Sequence, residues 1–296
     1  MPKVSVIVPT YCPQEFLRFA LASVKDQKGV DLEILLVDDS SPKEFRKILE
    51  TLALSHGAYL ILREQRGGPA AAHNTGIRYS RGEFIAFLEH DDLFLPNKLP
   101  IQVALMEEHP DWGMSYVGAY LLDKQGKMLR ALPLASWSGR EALLRLLDGN
   151  FIPSMSSVVV RRTCLEEVGC LDEGFQIAHD YDLWLRIATS QWQIGNVPYR
   201  LVGIRRHDSN WSAQNQRRGI EETLQTLEKV CSRHPHLWRW SRRHQARCWY
   251  RLGRFHARHG DWASAQICYQ QAFALDPMLW KAGLRWLQAK IRRGAT

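Results

Sequence analysis

Phe84-Ile85-Ala86-Phe87-Leu88-Glu89-His90-Asp91-Asp92 is a run of five apolar residues that passes directly into three carboxylates and an imidazole. A short apolar run of this kind suits a strand covered on both faces, as in a parallel sheet. The charged residues then stand at its carboxyl end. There Glu89 and Asp91 fall on the same side of an extended chain, and one divalent cation can meet both through oxygen ligands. The pattern predicts a metal-diphosphate site. An isolated acidic triplet also serves as a solvated strand-to-helix turn, with Asp92 capping a helix that begins near Pro96. The triplet alone does not separate these two readings.

The flanking sequence repeats the same unit. Val4 to Val8 is a β-rich run closed by Pro9-Thr10-Tyr11, and a helical segment follows to about Gln27 with Phe16, Leu17, Ala20, Leu21 and Val24 on one face. Glu33 to Val37 closes at Asp38-Asp39-Ser40-Ser41-Pro42 and leads into Glu44 to Ser55; Ala58 to Leu62 closes at Arg66-Gly67-Gly68-Pro69 and leads into Ala70 to Ser80. Repeated βα units predict a parallel sheet, and ligands of such sheets bind beyond the carboxyl ends of the strands. Thr10, Asp38, Asp39, Gly67, Gly68, Glu89, Asp91 and Asp92 should therefore converge at one mouth. The Gly67-Gly68-Pro69 turn invites a phosphate-binding role through its backbone N–H groups. It lacks the Lys-Ser/Thr ending of a nucleoside-triphosphate loop and the three-glycine spacing of a dinucleotide fold, which argues against ATP hydrolysis and hydride transfer.

Four segments in register, Val-Ser-Val-Ile-Val-Pro-Thr-Tyr, Leu-Val-Asp-Asp-Ser-Ser, Gly-Gly-Pro-Ala-Ala-Ala-His-Asn-Thr-Gly-Ile and Phe-Ile-Ala-Phe-Leu-Glu-His-Asp-Asp, resemble the nucleotide-binding half of family 2 glycosyltransferases. That family has the GT-A fold, a Rossmann-like, mainly parallel sheet flanked by helices. The likeness covers roughly residues 3 to 212. It implies a nucleotide pocket formed by Pro9, Thr10, Tyr11, Asp38, Asp39, Gly67, Gly68, His73, Asn74 and His90. It implies a Mn2+ or Mg2+ ion on Asp91, with Glu89 and His207 as further ligand candidates. Glu89 stands where the family usually has aspartate, and it could reach the metal, the ribose or a water; His73 stands where the family commonly has arginine, so a plain surface histidine is the competing reading.

Residues 112 to 160 and the segment from His179 carry the acceptor half of the resemblance. Tyr181, Trp184, Leu185 and Ala188 mark the buried face of a helix, with Asp180 at its front. A capping carboxylate explains such a residue locally. The resemblance makes it the general base that deprotonates an acceptor hydroxyl, with Asp92, His179 and Trp184 on the acceptor or sugar side. His179 departs from the glutamate the family places before that aspartate. Arg205 to Ser212 resembles a segment that folds over the diphosphate, which is the basis for His207 as metal ligand or phosphate donor.

The 296 residues carry 20 Lys+Arg against 25 Asp+Glu before residue 200 and 19 against 6 from there on, so a net −5 and a net +13 make the total of +8. Basic residues interleaved with tryptophans in the second region read first as a solvated, highly charged helical face, and as a binding surface they suit an anionic membrane face, a polyanionic acceptor or a protein partner, with nucleic acid the weaker candidate. Trp249, Leu252, Gly253, Gly260, Ala263, Ala265, Tyr269, Ala272 and Pro277 resemble a tetratricopeptide helix pair over about 246 to 279. The predicted organisation is a catalytic region, 1 to 212, and a basic helical region, 213 to 296. Six cysteines without Cys-x-x-Cys spacing suggest neither zinc nor a disulfide framework. No eighteen-residue apolar run and no signal-like start are present, so the expected place is the cytoplasm, with peripheral contact at the inner membrane face. Two functions follow: transfer of sugar from a nucleoside-diphosphate donor, a UDP-sugar, to a glycan or lipid-linked acceptor, or a catalytically degenerate nucleotide-sugar-binding scaffold with a helical interaction module.

Overall fold

All seven residues of the first strand, Val4–Thr10 (β1), are buried, so both its faces are covered. The computed structural model, which describes residues 1–207 and 214–293, shows by what. Val4, Val6 and Val8 enter one apolar cluster with Leu17, Leu21 and Val24 of α1 (Phe16–Lys25), Leu49 of α2 (Arg46–His56) and Leu99 and Val103 of a later helix, Lys98–Glu108. Ile7 points the other way by strand alternation. It meets α3 (Pro69–Tyr79) where a Cβ on Gly76 would lie 2.4 Å from Ile7 Cγ2, so glycine lets that helix lie against the strand.

β1 pairs in parallel with β2 (Leu32–Asp38) and β4 (Phe84–Phe87), and β2 pairs in parallel with β3 (Tyr59–Leu62). Register places Thr10 opposite Asp38 and Asp38 opposite Leu62, while the Leu88 N–H donates to Ile7 O at 3.0 Å. The strand ends therefore share one edge of the sheet, and the residues that follow them are brought together there.

Beyond β4 the sheet becomes mixed. β5 (Leu93–Phe94) leads into α4, the helix Lys98–Glu108; β6 (Trp112–Leu122) and β7 (Met128–Ala131) form an antiparallel pair. β8 (Val158–Arg161) runs antiparallel to both β4 and β6, and β9 (Gln193–Arg205) is parallel to β6 and antiparallel to β5. The order is β3-β2-β1-β4-β8-β6-β9-β5. An apolar run such as Val158–Val160 encodes burial but not direction, which is why its sequence does not announce the reversal. β9 has no sequence alternation because Pro198 and Tyr199 fall where its register against β6 jumps from Val197 to Arg200. That bulge spares the ladder the N–H that proline lacks.

α5 (Gly139–Asp148), α6 (Arg162–Val168) and α7 (His179–Ala188) complete the elements before residue 208. The chain divides into two compact units, one of Met1–Leu143 and Phe151–Asp208, the other of Leu144–Asn150 and Ser209–Thr296. The boundary expected at residue 212, and the segment expected to close the first region at Asp208 to Ser212, lie outside the described residues.

The second unit is helical: α8 (Gln216–Arg233), α9 (Trp238–Arg258), α10 (Trp262–Leu275) and α11 (Trp280–Arg293). Gly260, at φ 79°, makes the turn between α9 and α10, and Asp261 caps α10 by accepting the Ser264 N–H at 3.0 Å. The other Asp261 oxygen lies 3.0 Å from His256 Nδ1, so the histidine that replaces an aromatic in the repeat pattern ties the turn instead. A Cβ on Gly253 would come within 2.7 Å of the buried Tyr269 ring, so the helix pair closes on a glycine. Among the described residues no helix is long and apolar enough to cross a membrane.

Candidate functional site

At the carboxyl edge of the first four strands, exposure sorts the acidic residues. The side chains of Glu89 and Asp91 retain 31% and 15% of their exposure, whereas Asp92 is 3% exposed. Only the first two face outward. Asp92 Oδ2 accepts the Ser156 hydroxyl at 2.6 Å and Oδ1 accepts the Arg205 N–H at 3.1 Å. It therefore joins the end of β9 to the Met155–Ser157 turn. It does not cap α4, whose N-cap is Asn97, and both its oxygens are bonded within the protein rather than presented to the sugar side where it was expected. Burial, then the charge of Asp91, pushes its carboxyl up to about 7. Ser156 also accepts the Glu89 N–H at 3.0 Å, so one serine sets the geometry of both ends of the acidic segment.

Asp91 and His207, far apart in sequence, meet with Asp91 Oδ2 2.9 Å from His207 Nε2. The His207 ring lies 5.0 Å from Phe16, and Arg205 donates to the Asp91 carbonyl at 3.0 Å. Glu89 is held well above the usual carboxylate range by burial and then by the charges of Asp91, Asp92 and Asp180. Four carboxylates thus crowd one place. Such crowding, with an oxygen and an imidazole nitrogen already paired, fits a hard divalent cation. Among the described residues no three His, Cys, Asp or Glu side chains converge as a complete ligand set. A carboxylate oxygen and an imidazole nitrogen are donor types that a partial Mg2+ or Mn2+ set would use, the remainder coming from substrate phosphates and water. His90 is lowered by burial, against the neighbouring Asp91 charge that raises it.

The nucleotide-side candidates divide differently. Tyr11 remains partly exposed at the mouth, with the Arg66 guanidinium 3.8 Å from its ring centroid. Pro9 and Thr10 are buried in β1, and the Thr10 hydroxyl has no hydrogen-bond partner. Asp38 accepts the Ser41 N–H at 2.9 Å and the Ser41 hydroxyl, which makes it the anchor of the turn after β2. Asp39 is 4% exposed and accepts the N–H groups of Gly67 at 3.0 Å and Gly68 at 2.7 Å, while Arg63 pairs with it at 3.1 Å. The glycine amides expected to face phosphate are thus turned toward Asp39. Glycine is required at residue 68, whose φ is 86° and where a Cβ would lie 2.2 Å from Gln176.

Asn74 is likewise spent on the protein. Its amide donates to Leu171 O and to Glu173, each at 2.9 Å, and its oxygen accepts the Leu171 N–H at 3.0 Å. It fixes the loop that precedes α7 rather than a nucleotide. His73 is fully buried, which overturns the surface reading. Its Nδ1–H donates to Pro69 O at 2.9 Å, which leaves Nε2 unprotonated and 3.5 Å from Glu89 Oε1. The His179 ring lies 5.9 Å away.

α7 begins with His179, and its N-cap is Ala178, so Asp180 is the second helical residue and not a cap. One of its oxygens accepts the Tyr181 N–H at 2.6 Å. Burial raises its carboxyl above the usual range, opposed by His179. Trp184 is fully buried in the core and cannot touch an acceptor as expected. Arg63, Ser156 and Glu173 are positioning residues that sequence reading missed, since they lie in loops and a short turn where no pattern marks them; Arg205, expected only as the start of a segment over the diphosphate, holds Asp92 and the Asp91 carbonyl.

Burial lowers the His73 imidazole to about 3, with His179 adding to the effect. Its folded value is below the unfolded one, so the unfolded chain binds the extra proton and stability is lost as pH falls from about 6.5 toward about 3. His73→Gln, which keeps a polar side chain without a titrating ring, should show a shallower decline in urea midpoint over that interval. Parallel curves for the two proteins would contradict this assignment.

The architecture is the GT-A fold, a sheet flanked by helices and followed by an all-helical region. Residues 5–169 match the model of glycosyl transferase family 2, and residues 246–278 match that of the tetratricopeptide repeat. The chain belongs to glycosyl transferase family 2. It is similar to an uncharacterized glycosyltransferase of Rickettsia prowazekii, 31% identical over 193 residues that cover 62% of this chain and 58% of that protein. It is also similar to the O-antigen biosynthesis protein RfbC of Myxococcus xanthus, 32% identical over 236 residues that cover 79% of this chain and 18% of that one. The chain thus spans less than two thirds of the length of either relative. Among solved structures, S. aureus TarS 1-349 in complex with UDP-GlcNAc superimposes with a TM-score of 0.71 at 16% identity, covering 97% of this chain and 89% of that one. At that identity the likeness is one of fold.

Proposed function

We propose that this chain transfers a sugar from a nucleoside diphosphate, a UDP-sugar, to an acceptor hydroxyl during assembly of a cell-surface glycan, with inversion at the anomeric carbon. The observation that carries the reading is the Asp91–His207 pair among crowded carboxylates at the carboxyl edge of the sheet. The relatives add support, since TarS is described with UDP-GlcNAc and RfbC as an O-antigen biosynthesis protein. A bound Mn2+ or Mg2+ would supply Lewis-acid neutralisation of the leaving diphosphate. Asp91 and His207 would hold it, and Glu89 would lie beside it, tethered toward His73.

Asp180 then takes the acceptor proton. Its raised carboxyl suits a general base, because a conjugate acid nearer the working pH accepts a proton more readily than an ordinary aspartate does. A single in-line displacement of this kind inverts configuration. Tyr11, under Arg66, is the open surface for a nucleobase, while Asp39 and Asn74 act by bracing the Gly67-Gly68 turn and the 171–173 loop. The competing scaffold reading draws on the replacement residues His73, Glu89 and His179, and it predicts binding without turnover.

Thermal melts with a panel of nucleoside-diphosphate sugars, with and without Mn2+, test the proposal, since a ligand of the folded state alone raises stability. A UDP-sugar should raise the Tm, and Mn2+ should enlarge the shift. A panel in which no uridine nucleotide shifts the melt, with or without the cation, would overturn it.

A further inference from the structure

α11 buries one side and leaves a second apolar side uncovered. Its packed side carries Ala282 and Ala289, both fully buried, and the half-buried Trp286, which packs against Ala265, Tyr269 and Ala289, while a Cβ on Gly283 would lie 3.1 Å from the Phe273 ring. Four other large apolar residues face out. Trp280, Leu284, Leu287 and Ile291 are 61%, 58%, 51% and 73% exposed. At 100° per residue the four fall within about 60° of arc, a continuous stripe along α11. Scattered exposed leucines need no explanation, but a contiguous stripe does.

The charges beside the stripe say what covers it. Lys281, Arg285 and Arg292 flank it on one side and Lys290 on the other, and no Asp or Glu occurs between residues 277 and 293. Lys281 also lies 5.7 Å from the Trp280 ring centroid. Where Trp280 and Leu284 begin the stripe, an open groove of about 520 Å³ is lined by Tyr250, Arg254, Lys281 and Arg285 as well. Cations over aromatic rings next to an apolar ridge suit a phosphate headgroup whose acyl chains continue along the ridge. A second copy of the chain suits it poorly, because two such helices would bring like charges together with no carboxylate of that helix to offset them.

We propose that α11 is a membrane-interface helix, which lays Trp280, Leu284, Leu287 and Ile291 into an anionic bilayer while the groove beside them holds lipid phosphate. Two arginines of α9 are committed within the helical unit. Arg242 donates to Leu275 O at 2.8 Å, and Arg247 pairs with Asp148 at 2.8 Å. They stabilise the helical unit itself.

Co-sedimentation of the full chain with phosphatidylcholine vesicles, with and without phosphatidylglycerol, tests the proposal. Wild type should pellet with the anionic vesicles. Leu284→Glu/Leu287→Glu and Lys281→Glu/Arg285→Glu should each lower the partition by about tenfold or more. Both pairs are exposed, and unchanged melting curves would show that the fold survives. Wild type that stays in the supernatant would overturn the proposal. So would binding that raised salt abolishes but the leucine pair leaves intact, which is adsorption to any polyanion. A concentration-dependent dimer dissociated by the leucine pair would assign the stripe to a second copy and overturn it too. Donor-induced thermal shifts should persist in all variants, which separates failure of this inference from failure of the transferase reading.

Discussion

Asp91→Asn is expected to abolish transfer and cation-dependent nucleotide binding together while the protein stays folded. Asp91 keeps part of its exposure, and its carboxylate oxygen meets His207 Nε2 at 2.9 Å; in the proposed function a cation on it would bind protein and diphosphate at once. Asparagine preserves the shape and removes the charge. Outer-shell partners of metal sites cost 10–100-fold in affinity when lost, so a direct charged ligand should cost ~100-fold or more. The Asp91 side chain lies outside the apolar core cluster, and Asp92, not Asp91, carries the bonds to Ser156 and to the Arg205 amide. Titration of UDP into both proteins with and without Mn2+ checks this. Equal UDP affinity in the presence of the cation would remove Asp91 from the site.

The second large effect belongs to Asp180. Asp180→Asn should leave donor binding nearly intact and lower turnover by about 10²–10⁴-fold, the usual range for a general base. The carboxyl is raised by burial and lowered again by His179, so turnover in the wild type should rise with pH through that raised value as the base form appears. Its contribution to folding has the opposite slope. With the folded value above the unfolded one, the native state holds the proton longer, and stability falls as pH rises between the two. Transfer measured with an identified acceptor would contradict the role if the variant turned over like wild type, or if donor affinity and turnover fell by equal factors.

The fold was legible wherever a strand and a helix follow each other with a clear apolar period. The face of α1 read from Phe16, Leu17, Ala20, Leu21 and Val24 is the set of residues buried in that helix. The tetratricopeptide pair was legible because Gly253, Ala265 and Ala272 occupy positions that close packing demands and Gly260 supplies the left-handed turn. The antiparallel half was not, since Val158–Val160 would look the same in either direction and Pro198 hides a thirteen-residue strand.

For the candidate site, the repeated βα units placed these residues at one edge of the sheet but could not divide contact from support. Asp38, Asp39 and Asn74 are polar residues at strand ends and on a helix, and a ligand or the next loop satisfies them equally well in sequence. The structure gives Asp39 to the Gly67 and Gly68 amides and Asn74 to Leu171 and Glu173. Trp184 has an amphipathic position and a full burial that periodicity had already implied. The meeting of Asp91 with His207 spans 116 residues, and no local pattern could measure it.

In the proposed function, Asp91 and His207 form the protein's share of a cation site that the diphosphate completes. Electron paramagnetic resonance of Mn2+ tests it most directly, because the signal of the free hexaaqua ion falls when the ion binds. The signal should drop modestly with protein alone and, when UDP is added, well below the level that UDP alone produces, whereas with Asp91→Asn it should fall only to that UDP-alone level. An Mn2+ signal in the presence of protein and UDP that equals the signal with UDP alone would contradict the account.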